Sequence, residues 1–277
     1  MYALALRPLL FLLPPDVAHS LAFAALAPLE HSALLRSLAR ATLRPPRDAR
    51  LTVRTMGLAF PSPIGLAAGF DKDARRPRAL AAMGFGHIEL GTVTAHPQEA
   101  NPRPNLFRLL DDRALVNRLG FPNQGAQRLA QRLRAARTEV AVPIGVSIGK
   151  SRSVPVSDMD AVVADYAASL RAVREVADFV VVNVSSPNTV GLRSMQAREH
   201  ALSLLSALKA RTEEGTRLLV KIAPDLDDAQ LDDVLSVAQE AGVAGVVATN
   251  TTVSRAGLAT DSTRVEAIGA GGLSGPP

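Results

Sequence analysis

The order of apolar and amphipathic segments along this chain of 277 residues predicts an α/β fold, a (β/α)8 barrel with a helical extension at its N-terminus. Two observations support the prediction. Short apolar segments alternate with longer amphipathic ones beyond residue 60, which is typical of parallel strands joined by right-handed crossovers. A polar motif also follows each apolar segment. A doubly wound sheet concentrates such motifs at one switch point, whereas a closed barrel gathers them from every strand.

The predicted elements follow one another in a regular order. A small hairpin is expected over residues 51–60, with Met56 and Gly57 at its turn. The predicted strands cover Ile64–Ala68, His87–Gly91, Val142–Ile148, Phe179–Val184, Leu218–Ile222 and Gly245–Thr249. The predicted helices cover Arg75–Met83, Gln124–Ala136, Asp158–Val176, Gln196–Arg211 and Asp227–Ala241, with Asp158 and Asp227 as N-caps. The polar motifs after the strands are GFDKD, GTVT, GKS, SSPN, APD and TNTT, so we expect the site at that end of the barrel.

The N-terminal region, residues 1–45, is apolar but broken by prolines. Arg7 and Pro8 interrupt the first apolar run, and Pro14-Pro15-Asp16 ends it before a second amphipathic run begins. No uninterrupted stretch reaches the ~20 apolar residues that a transmembrane helix needs. The pattern predicts two short amphipathic helices that lie on a membrane surface, although helices that simply cap the core would give a similar pattern. Pro45-Pro46-Arg47-Asp48 is expected to lead into the barrel, residues 46–277.

Composition argues against several classes of function. Aromatic residues make up only 4% of the chain and Trp is absent, which argues against a platform for stacking nucleic-acid bases. The net charge is +5, but the arginines are scattered along the helices, so we expect solvated helix faces and no nucleic-acid partner. Cysteine is absent and the five histidines form no paired ligand motif, so we expect no disulfide, no thiolate nucleophile and no metal site.

Lysine is rare in this chain, and its few positions are therefore informative. Lysine occurs only at positions 72, 150, 209 and 221, and the other 27 basic residues are arginine. Lys221 lies inside the apolar segment LLVKIAP, where burying its charge without an anionic or hydrogen-bonding partner is costly. We expect Lys221 to face a bound anion, with a structural ion pair as the alternative. Lys72 either serves the same site or pairs with Asp71 and Asp73 at the surface.

Asparagine and serine cluster at strand ends in the same way. The segment VVVNVSSPN places Asn183, Ser185, Ser186 and Asn188 directly after a buried strand, and Asn250 follows a later strand. Asn offers both a donor and an acceptor, as recognition of an imide or carboxamide ring edge requires. No GxSxG elbow surrounds the serines and no His follows at triad spacing, so an acyl-transfer hydrolase has no support. We predict a pocket for a small polar ligand.

Together the motifs resemble one family, the membrane-associated, quinone-dependent (class 2) dihydroorotate dehydrogenases. The similar segments run in family order: PIGLAAGFDKD, GFGHIELGTVT, RPNLFRLLDDRALVNRLGFPNQG, NVSSPNTVGLR, VKIAPDL, GVVATNTT and GGLSG. The resemblance implies FMN bound in a (β/α)8 TIM barrel and oxidation of (S)-dihydroorotate to orotate, the fourth step of pyrimidine synthesis. It also implies that electrons leave to a membrane quinone through the N-terminal helices. We expect a monomer bound peripherally to the cytoplasmic side of the cell membrane.

The resemblance assigns roles to individual positions. Ser186 matches the catalytic base, which takes the C5 proton while the C6 hydride goes to flavin N5, a step at which related soluble enzymes use Cys. Positions that match substrate contacts are Lys72, Asn117, Arg118, Leu119, Gly120, Phe121, Asn183, Asn188, Asn250 and Thr251. Positions that match flavin contacts are Ala68, Gly69, Phe70, Asp71, Lys72, Thr92, Ser147, Asn183, Lys221, Thr249 and Gly275. His19 and Arg108 match positions that line the quinone tunnel.

Two departures from the family pattern qualify these expectations. Ser147 stands where the family usually has Asn, so one flavin contact is expected to be shortened or replaced by water. Only about six βα units are found, and the GVGGI-like and YTG-like loops that follow the last two strands in the family are absent. Because such loops hold the cofactor phosphate, we expect a chain that truly lacks them to bind FMN weakly or not at all. Two alternatives stay open: an inactive barrel that serves only as a binding or assembly module, and a soluble relative that uses fumarate or NAD.

Overall fold

The computed structural model of the protein describes residues 6–43, 48–213 and 215–276. Its strands are β1 (Val53–Thr55), β2 (Leu58–Phe60), β3 (Ile88–Val93), β4 (Leu106–Leu109), β5 (Ala114–Asn117), β6 (Ile144–Ile148), β7 (Phe179–Asn183), β8 (Leu218–Lys221), β9 (Gly245–Val247) and β10 (Gly272–Ser274). Its α-helices are α1 (Arg7–Phe11), α2 (Pro15–Ala25), α3 (Ala27–His31), α4 (Ala33–Leu43), α5 (Pro77–Ala82), α6 (Ala126–Ala136), α7 (Met159–Val173), α8 (Arg198–Lys209), α9 (Asp228–Glu240) and α10 (Ser262–Ile268).

A parallel sheet in the order β3-β6-β7-β8-β9 forms the body of the molecule, which confirms the α/β prediction. The predicted strand Ile64–Ala68 is wrong, because this segment makes only an isolated parallel bridge between Leu66 and Ile88. Pro61 and Pro63, which lack N–H donors, lie just before it and shorten the ladder. The segment still runs beside β3, with hydrogen bonds from Leu66 N to His87 O (3.0 Å) and from Glu89 N to Leu66 O (2.8 Å).

The helices between the strands confirm the predicted alternation and lie within three residues of the expected ends. Asp158 caps α7 by accepting the Ala161 N–H at 2.9 Å. Asp227 forms a capping box with Gln230 at the start of α9, with the Gln230 N–H donating to Asp227 Oδ1 at 2.8 Å. Such caps satisfy backbone donors that a helix leaves unpaired at its first turn. The strand–helix order could therefore be predicted from the sequence.

The two faces of the sheet bury different sets of residues. On the outer face, residues such as Ile88 and Leu90 pack in one cluster with the helices. On the inner face, Phe179, Val181 and Leu219 pack against Phe60 of β2. The β1–β2 hairpin, predicted correctly over residues 51–60, thus closes the end of the barrel interior that lies nearest the strand N-termini.

The N-terminal region contains four helical segments among its described residues, where the sequence predicted two amphipathic helices. The second predicted helix is divided because Pro28 opens α3 and because Ser32 adopts an extended conformation after it. None of the described helices combines the length and the hydropathy that crossing a bilayer requires. Residues 45–47 of the predicted linker lie outside the described part of the chain.

Buried ion pairs fix these helices on the barrel. Glu30 of α3 accepts hydrogen bonds from the Ala79 N–H at 3.0 Å and from Arg78 at 3.1 Å, so its carboxylate caps α5. Arg36 of α4 is also buried, and it pairs with Glu139 beyond α6. These contacts hold the N-terminal helices against one side of the barrel.

A second sheet, which the sequence analysis missed, covers the other end of the barrel. Its three antiparallel strands run in the order β10-β5-β4. The β4–β5 hairpin turns at Leu110–Arg113, and β10 joins it from more than 150 residues further along the chain, pairing Gly272 with Asn117. The short alternating segments LFRL and ALVN around Asp-Asp-Arg were the available signal for this hairpin.

Candidate active site

A cavity of about 360 Å³ lies between the C-terminal ends of the parallel strands and the covering sheet. The predicted site residues that line it are His19, Ala68, Gly69, Phe70, Lys72, Thr92, Asn117, Leu119, Gly120, Phe121, Asn183, Ser186, Asn188, Lys221, Asn250 and Thr251. They come from widely separated parts of the chain, namely helix α2 and the C-terminal ends and following loops of several strands. The structure therefore brings together most of the residues that the sequence singled out.

A larger cavity of about 730 Å³ adjoins the first one. Lys221, Asn250 and Thr251 line both cavities, and the predicted flavin contacts Thr249 and Gly275 line only the larger one. The two cavities adjoin through these shared residues above the C-terminal ends of the strands. Their combined space accommodates a ligand larger than a single pyrimidine ring.

Lys221 supplies a buried positive charge at the floor of this space. Its side chain is only 7% exposed, at the end of β8. Among the described residues its amine has no hydrogen-bond acceptor and no carboxylate within salt-bridge distance. A direct salt bridge, the alternative considered, is thus not formed, although the charge of Lys221 acts on the buried carboxylate of Glu89 over a longer distance. An unpaired buried amine of this kind is suited to an anionic or carbonyl-rich ligand.

Lys72 also faces the cavity and does not form a surface ion pair. Its amine donates to the Gly69 carbonyl oxygen, while Asp71 accepts the backbone N–H groups of Arg75 (3.0 Å) and Arg76 (2.7 Å). Burial lowers the pKa of Lys72 to about 8, although the negative charges of Asp71 and Asp73 oppose that shift. The charge on Lys72 is therefore sensitive to pH just above neutrality.

A chain of carboxamides and hydroxyls forms one wall of the cavity, with Asn183 at its centre. Asn183 Nδ2 donates to Thr92 Oγ1 at 2.9 Å, and its Oδ1 accepts from Ser185 Oγ at 3.0 Å. Asn250 Nδ2 donates to Ser185 Oγ at 3.1 Å. Asn250 Oδ1 also accepts the Thr251 N–H at 2.8 Å, so these contacts fix the orientation of both amides at the cavity wall.

A second amide pair lies where the covering sheet meets the loop after β7. Asn188 Nδ2 donates to Asn117 Oδ1 at 3.1 Å, and Asn117 Nδ2 donates to the Gly272 carbonyl at 3.2 Å. Ser186 lies two residues before Asn188, and its Oγ accepts the Asn188 N–H at 3.2 Å. This is the one hydrogen bond of the Ser186 side chain among the described residues, and the hydroxyl is buried at the cavity wall.

Four predicted contacts are placed elsewhere. Asp71 lines neither the cavity of about 360 Å³ nor that of about 730 Å³ and instead accepts the backbone N–H groups of Arg75 and Arg76. Arg118 points away from the cavity and donates to the Ile268 carbonyl at 2.6 Å. Ser147 is fully buried beside Thr92, at 2.9 Å between the two hydroxyl oxygens. Arg108 of β4 donates to the carbonyls of Leu10 (3.2 Å) and Leu13 (2.7 Å) and so anchors α1. Their assigned roles stay predictions.

A further cavity of about 470 Å³ connects the N-terminal helices to the site. His19 and Phe23 of α2 form one side, and Phe70 and Lys72 belong to the opposite side. The ring of His19 meets Phe70 edge-on at 5.5 Å, and His19 also lines the central cavity. Burial, with the nearby charge of Lys72, lowers the pKa of His19, while Asp16 opposes this. His19 thus lies at the boundary between this cavity and the central cavity.

Sequence reasoning missed several residues of the site. Leu106, Leu115 and Ser274 line the central cavity from the covering sheet. Glu89 is buried on the inner face of β3 and has one carboxylate oxygen without a partner among the described residues. Burial raises the pKa of Glu89, and the charge of Lys221 opposes that rise. An acidic residue inside an apolar predicted strand was the signal that pointed to Glu89.

Comparison with known proteins is consistent with this geometry. The sequence model of the family described as Dihydroorotate dehydrogenase matches residues 50–277. The protein named Dihydroorotate dehydrogenase (quinone) from Mycobacterium tuberculosis (strain ATCC 25177 / H37Ra) is 54% identical over 277 residues, covering 100% of this chain and 74% of the relative. The protein of the same name from Thermobifida fusca (strain YX) is 52% identical over 283 residues, with the same two coverages.

A solved structure shares the fold as well. The crystal structure of DHODH in complex with ferulenol from Eimeria tenella superimposes with a TM-score of 0.78 and 35% sequence identity. The match covers 95% of this chain and 73% of that chain. The chain belongs to the dihydroorotate dehydrogenase family.

Proposed function

We propose that this protein oxidises (S)-dihydroorotate to orotate in pyrimidine biosynthesis, with FMN as hydride acceptor and a membrane quinone as final electron acceptor. Relatives at 52–54% identity carry the name Dihydroorotate dehydrogenase (quinone), which favours this function over a binding module or a fumarate- or NAD-dependent enzyme. The observation that carries the proposal is the common cavity of Lys221, Ser186 and the carboxamides Asn183, Asn188 and Asn250.

The residues of the cavity fit a flavin, the cofactor class of this family. Lys221 would supply a buried positive charge to a bound flavin, whose ring system gains negative charge on reduction. A Cβ built on Gly69 would meet no atom within 4 Å, so its backbone faces open space without obstruction. Ala68, Thr92 and Asn183 line the same space. When bound, the flavin supplies the hydride acceptor, and FMN is our proposal for its identity.

The chain's own residues bind and orient the substrate and receive its proton. Lys72 and the amides of Asn117, Asn188 and Asn250 are placed to hold the carboxylate and ring edges of dihydroorotate, which is an orientation effect. Ser186 Oγ accepts the C5 proton as its own hydroxyl proton passes to a water molecule in the cavity, because no protein group in the described part of the chain accepts a hydrogen bond from this hydroxyl. The covering sheet shields this hydroxyl from bulk water, since Ser186 is buried under it.

Substitution of Ser186 tests the proposed base. Ser186→Ala in the flavin-loaded protein is expected to slow flavin reduction by dihydroorotate by about 10²–10⁴-fold, the usual contribution of a general base. The measurement is anaerobic stopped-flow absorbance, with Ser206→Ala on the exposed face of α8 as matched control. A Ser186→Ala protein as fast as wild type would contradict the role of Ser186. A wild-type protein whose bound flavin dihydroorotate does not reduce would contradict the function itself.

The quinone is proposed to enter through the 470 Å³ cavity beside α2. His19→Ala is expected to slow quinone reduction while sparing flavin reduction by dihydroorotate, because His19 stands between the two cavities. Equal loss of both half-reactions would contradict a separate quinone site.

We further propose that the protein is a monomer bound peripherally to the cytoplasmic face of the cell membrane. Leu9, Leu12, Leu34 and Leu38 are exposed by 61–82% on the N-terminal helices, and such apolar surface suits the membrane interface. Leu12→Glu and Leu34→Glu should reduce cosedimentation with phospholipid vesicles, whereas Leu235→Glu on α9 should not. Equal cosedimentation of all three variants would contradict the proposed membrane surface. A dimer in analytical ultracentrifugation would contradict the proposed monomer.

A further inference from the structure

Arg193 lies outside the cavity but connects three of the loops that build it. It belongs to a 3-10 helix (Leu192–Gln196) that follows the β7 loop. Its Nε donates to the Ser185 carbonyl at 3.2 Å, and its Nη2 donates to the Thr251 carbonyl at 2.9 Å. Its Nη1 pairs with Asp225 Oδ2 at 2.7 Å. These three acceptors follow β7, β9 and β8 respectively, so one guanidinium contacts the loops of three neighbouring strands.

Asp225 extends the connection to the far side of the β9 loop. Asp225 Oδ1 accepts hydrogen bonds from the Thr252 hydroxyl and from the Val253 N–H, the latter at 3.1 Å. Burial raises the pKa of Asp225, but the hydrogen bonds from Thr252 and Arg193 outweigh it and hold the pKa below the usual value. The pair therefore stays charged at neutral pH. The Arg193 and Asp225 side chains are only 24% and 21% exposed, so solvent screens their attraction incompletely.

The contacts of Arg193 are made to backbone atoms next to groups of the site. Ser185, whose carbonyl it holds, precedes Ser186, and the Ser185 hydroxyl accepts from Asn250 at 3.1 Å. Thr251, whose carbonyl it also holds, lines the cavity. A shift of either loop would move the proposed base relative to the amide wall.

We propose that Arg193, together with Asp225, is a positioning residue that sets the distance between the Ser186 loop and the Asn250–Thr251 loop. The inference rests on the proposed function, because the geometry it protects is that of proton removal from dihydroorotate. The planar guanidinium is suited to this task, since it presents donors in fixed directions to three acceptors at once. A lysine keeps the charge opposite Asp225 but cannot hold both carbonyls.

The first experiment compares Arg193→Lys and Arg193→Met with wild type, all as flavin-loaded protein. We expect unchanged flavin content, because Arg193 does not line the cavity. Misplacement of about 1 Å can cost about 100-fold in rate, so we expect that loss in Arg193→Met and about tenfold in Arg193→Lys. Flavin reduction by dihydroorotate is followed by stopped flow, and orotate affinity by its perturbation of the flavin absorbance. Arg198→Met, which breaks an exposed pair with Glu240 on the neighbouring helix, is the matched control and should behave as wild type.

The second experiment separates positioning from a merely structural role. If Arg193 acts through Ser186, Arg193→Met should slow a Ser186→Ala protein by less than threefold, because the base it positions is already absent. A structural role predicts that the two losses multiply. Asp225→Asn provides the same comparison if Arg193→Met does not fold. Multiplied losses, or wild-type rates in both Arg193 variants, would overturn the inference. Absence of flavin reduction in the wild-type protein would instead count against the proposed function.

Discussion

The two ends of the barrel interior are built from the same strands but serve different purposes. The cluster of Phe60, Phe179, Val181 and Leu219, called the apolar plug below, closes one end. Along the inner face of β7, Val181 lies in this plug, whereas Asn183, two positions further, lies at the cavity. Along β8, Leu219 belongs to the plug and Lys221 to the cavity. Because side chains alternate along a strand, a step of two residues keeps the face and changes only the depth. One end is arranged for packing, and the other holds polar groups that packing alone would disfavour.

Among the substitutions considered, the largest effect on stability is expected at the closed end. Leu219→Ala should lower the free energy of unfolding by about 2–5 kcal/mol, because Leu219 packs in the plug with Phe179 and Phe60. Chemical denaturation measures the change. The orotate affinity of the remaining folded protein should stay close to wild type, and a large loss of affinity would show that the two ends are not separable.

The polar end should respond in the opposite manner. Lys221→Met should reduce the rate of flavin reduction by about 100-fold, as loss of one preorganised electrostatic contact typically does. Its free energy of unfolding should not fall, because burial of the Lys221 amine is unfavourable and its attraction to Glu89 is not reinforced by a direct salt bridge among the described residues. Stopped-flow absorbance and denaturation measure both quantities, with Lys209→Met at the end of α8 as control. A clear loss of stability in Lys221→Met would contradict the division between the two ends.

Lys72 should make ligand binding at the polar end depend on pH. Its pKa in the folded protein is lowered to about 8 by burial, so the amine loses its charge as the pH rises through that value. Binding of the orotate anion to flavin-loaded protein should therefore weaken by up to about tenfold from pH 7 to pH 9, since a tenfold change follows each unit above the pKa. Lys72→Met should bind more weakly at pH 7 and lose this dependence. A dependence that persists in Lys72→Met would assign it to another group.

The polar end was largely predictable from the sequence because strand ends are easy to locate. Lys221 and Asn183 terminate apolar segments, and parallel strands bring such residues to one edge. The orientation of loop side chains was not predictable in the same way. Asp71 matched a flavin contact but caps a turn at Arg75 and Arg76, and Arg118 contacts Ile268, 150 positions away. Those contacts depend on how distant loops cross, which no local pattern encodes.

The smallest effect is expected for Glu89. This residue places a carboxylate on the inner face of β3, whereas Ile88 and Leu90 of the same strand pack in the apolar cluster on the outer face. Its pKa is raised by burial, with Lys221 opposing, so the stability it contributes is fully present below its unfolded pKa and is lost as the pH rises through the folded value. Glu89→Gln should therefore raise the melting temperature slightly at pH 8 and leave it nearly unchanged at pH 4. Differential scanning calorimetry at the two pH values provides the measurement. If Glu89→Gln instead lowered the melting temperature at pH 8, the carboxylate would be favourable there, and the attraction between Glu89 and Lys221 would have to exceed the cost of burying both.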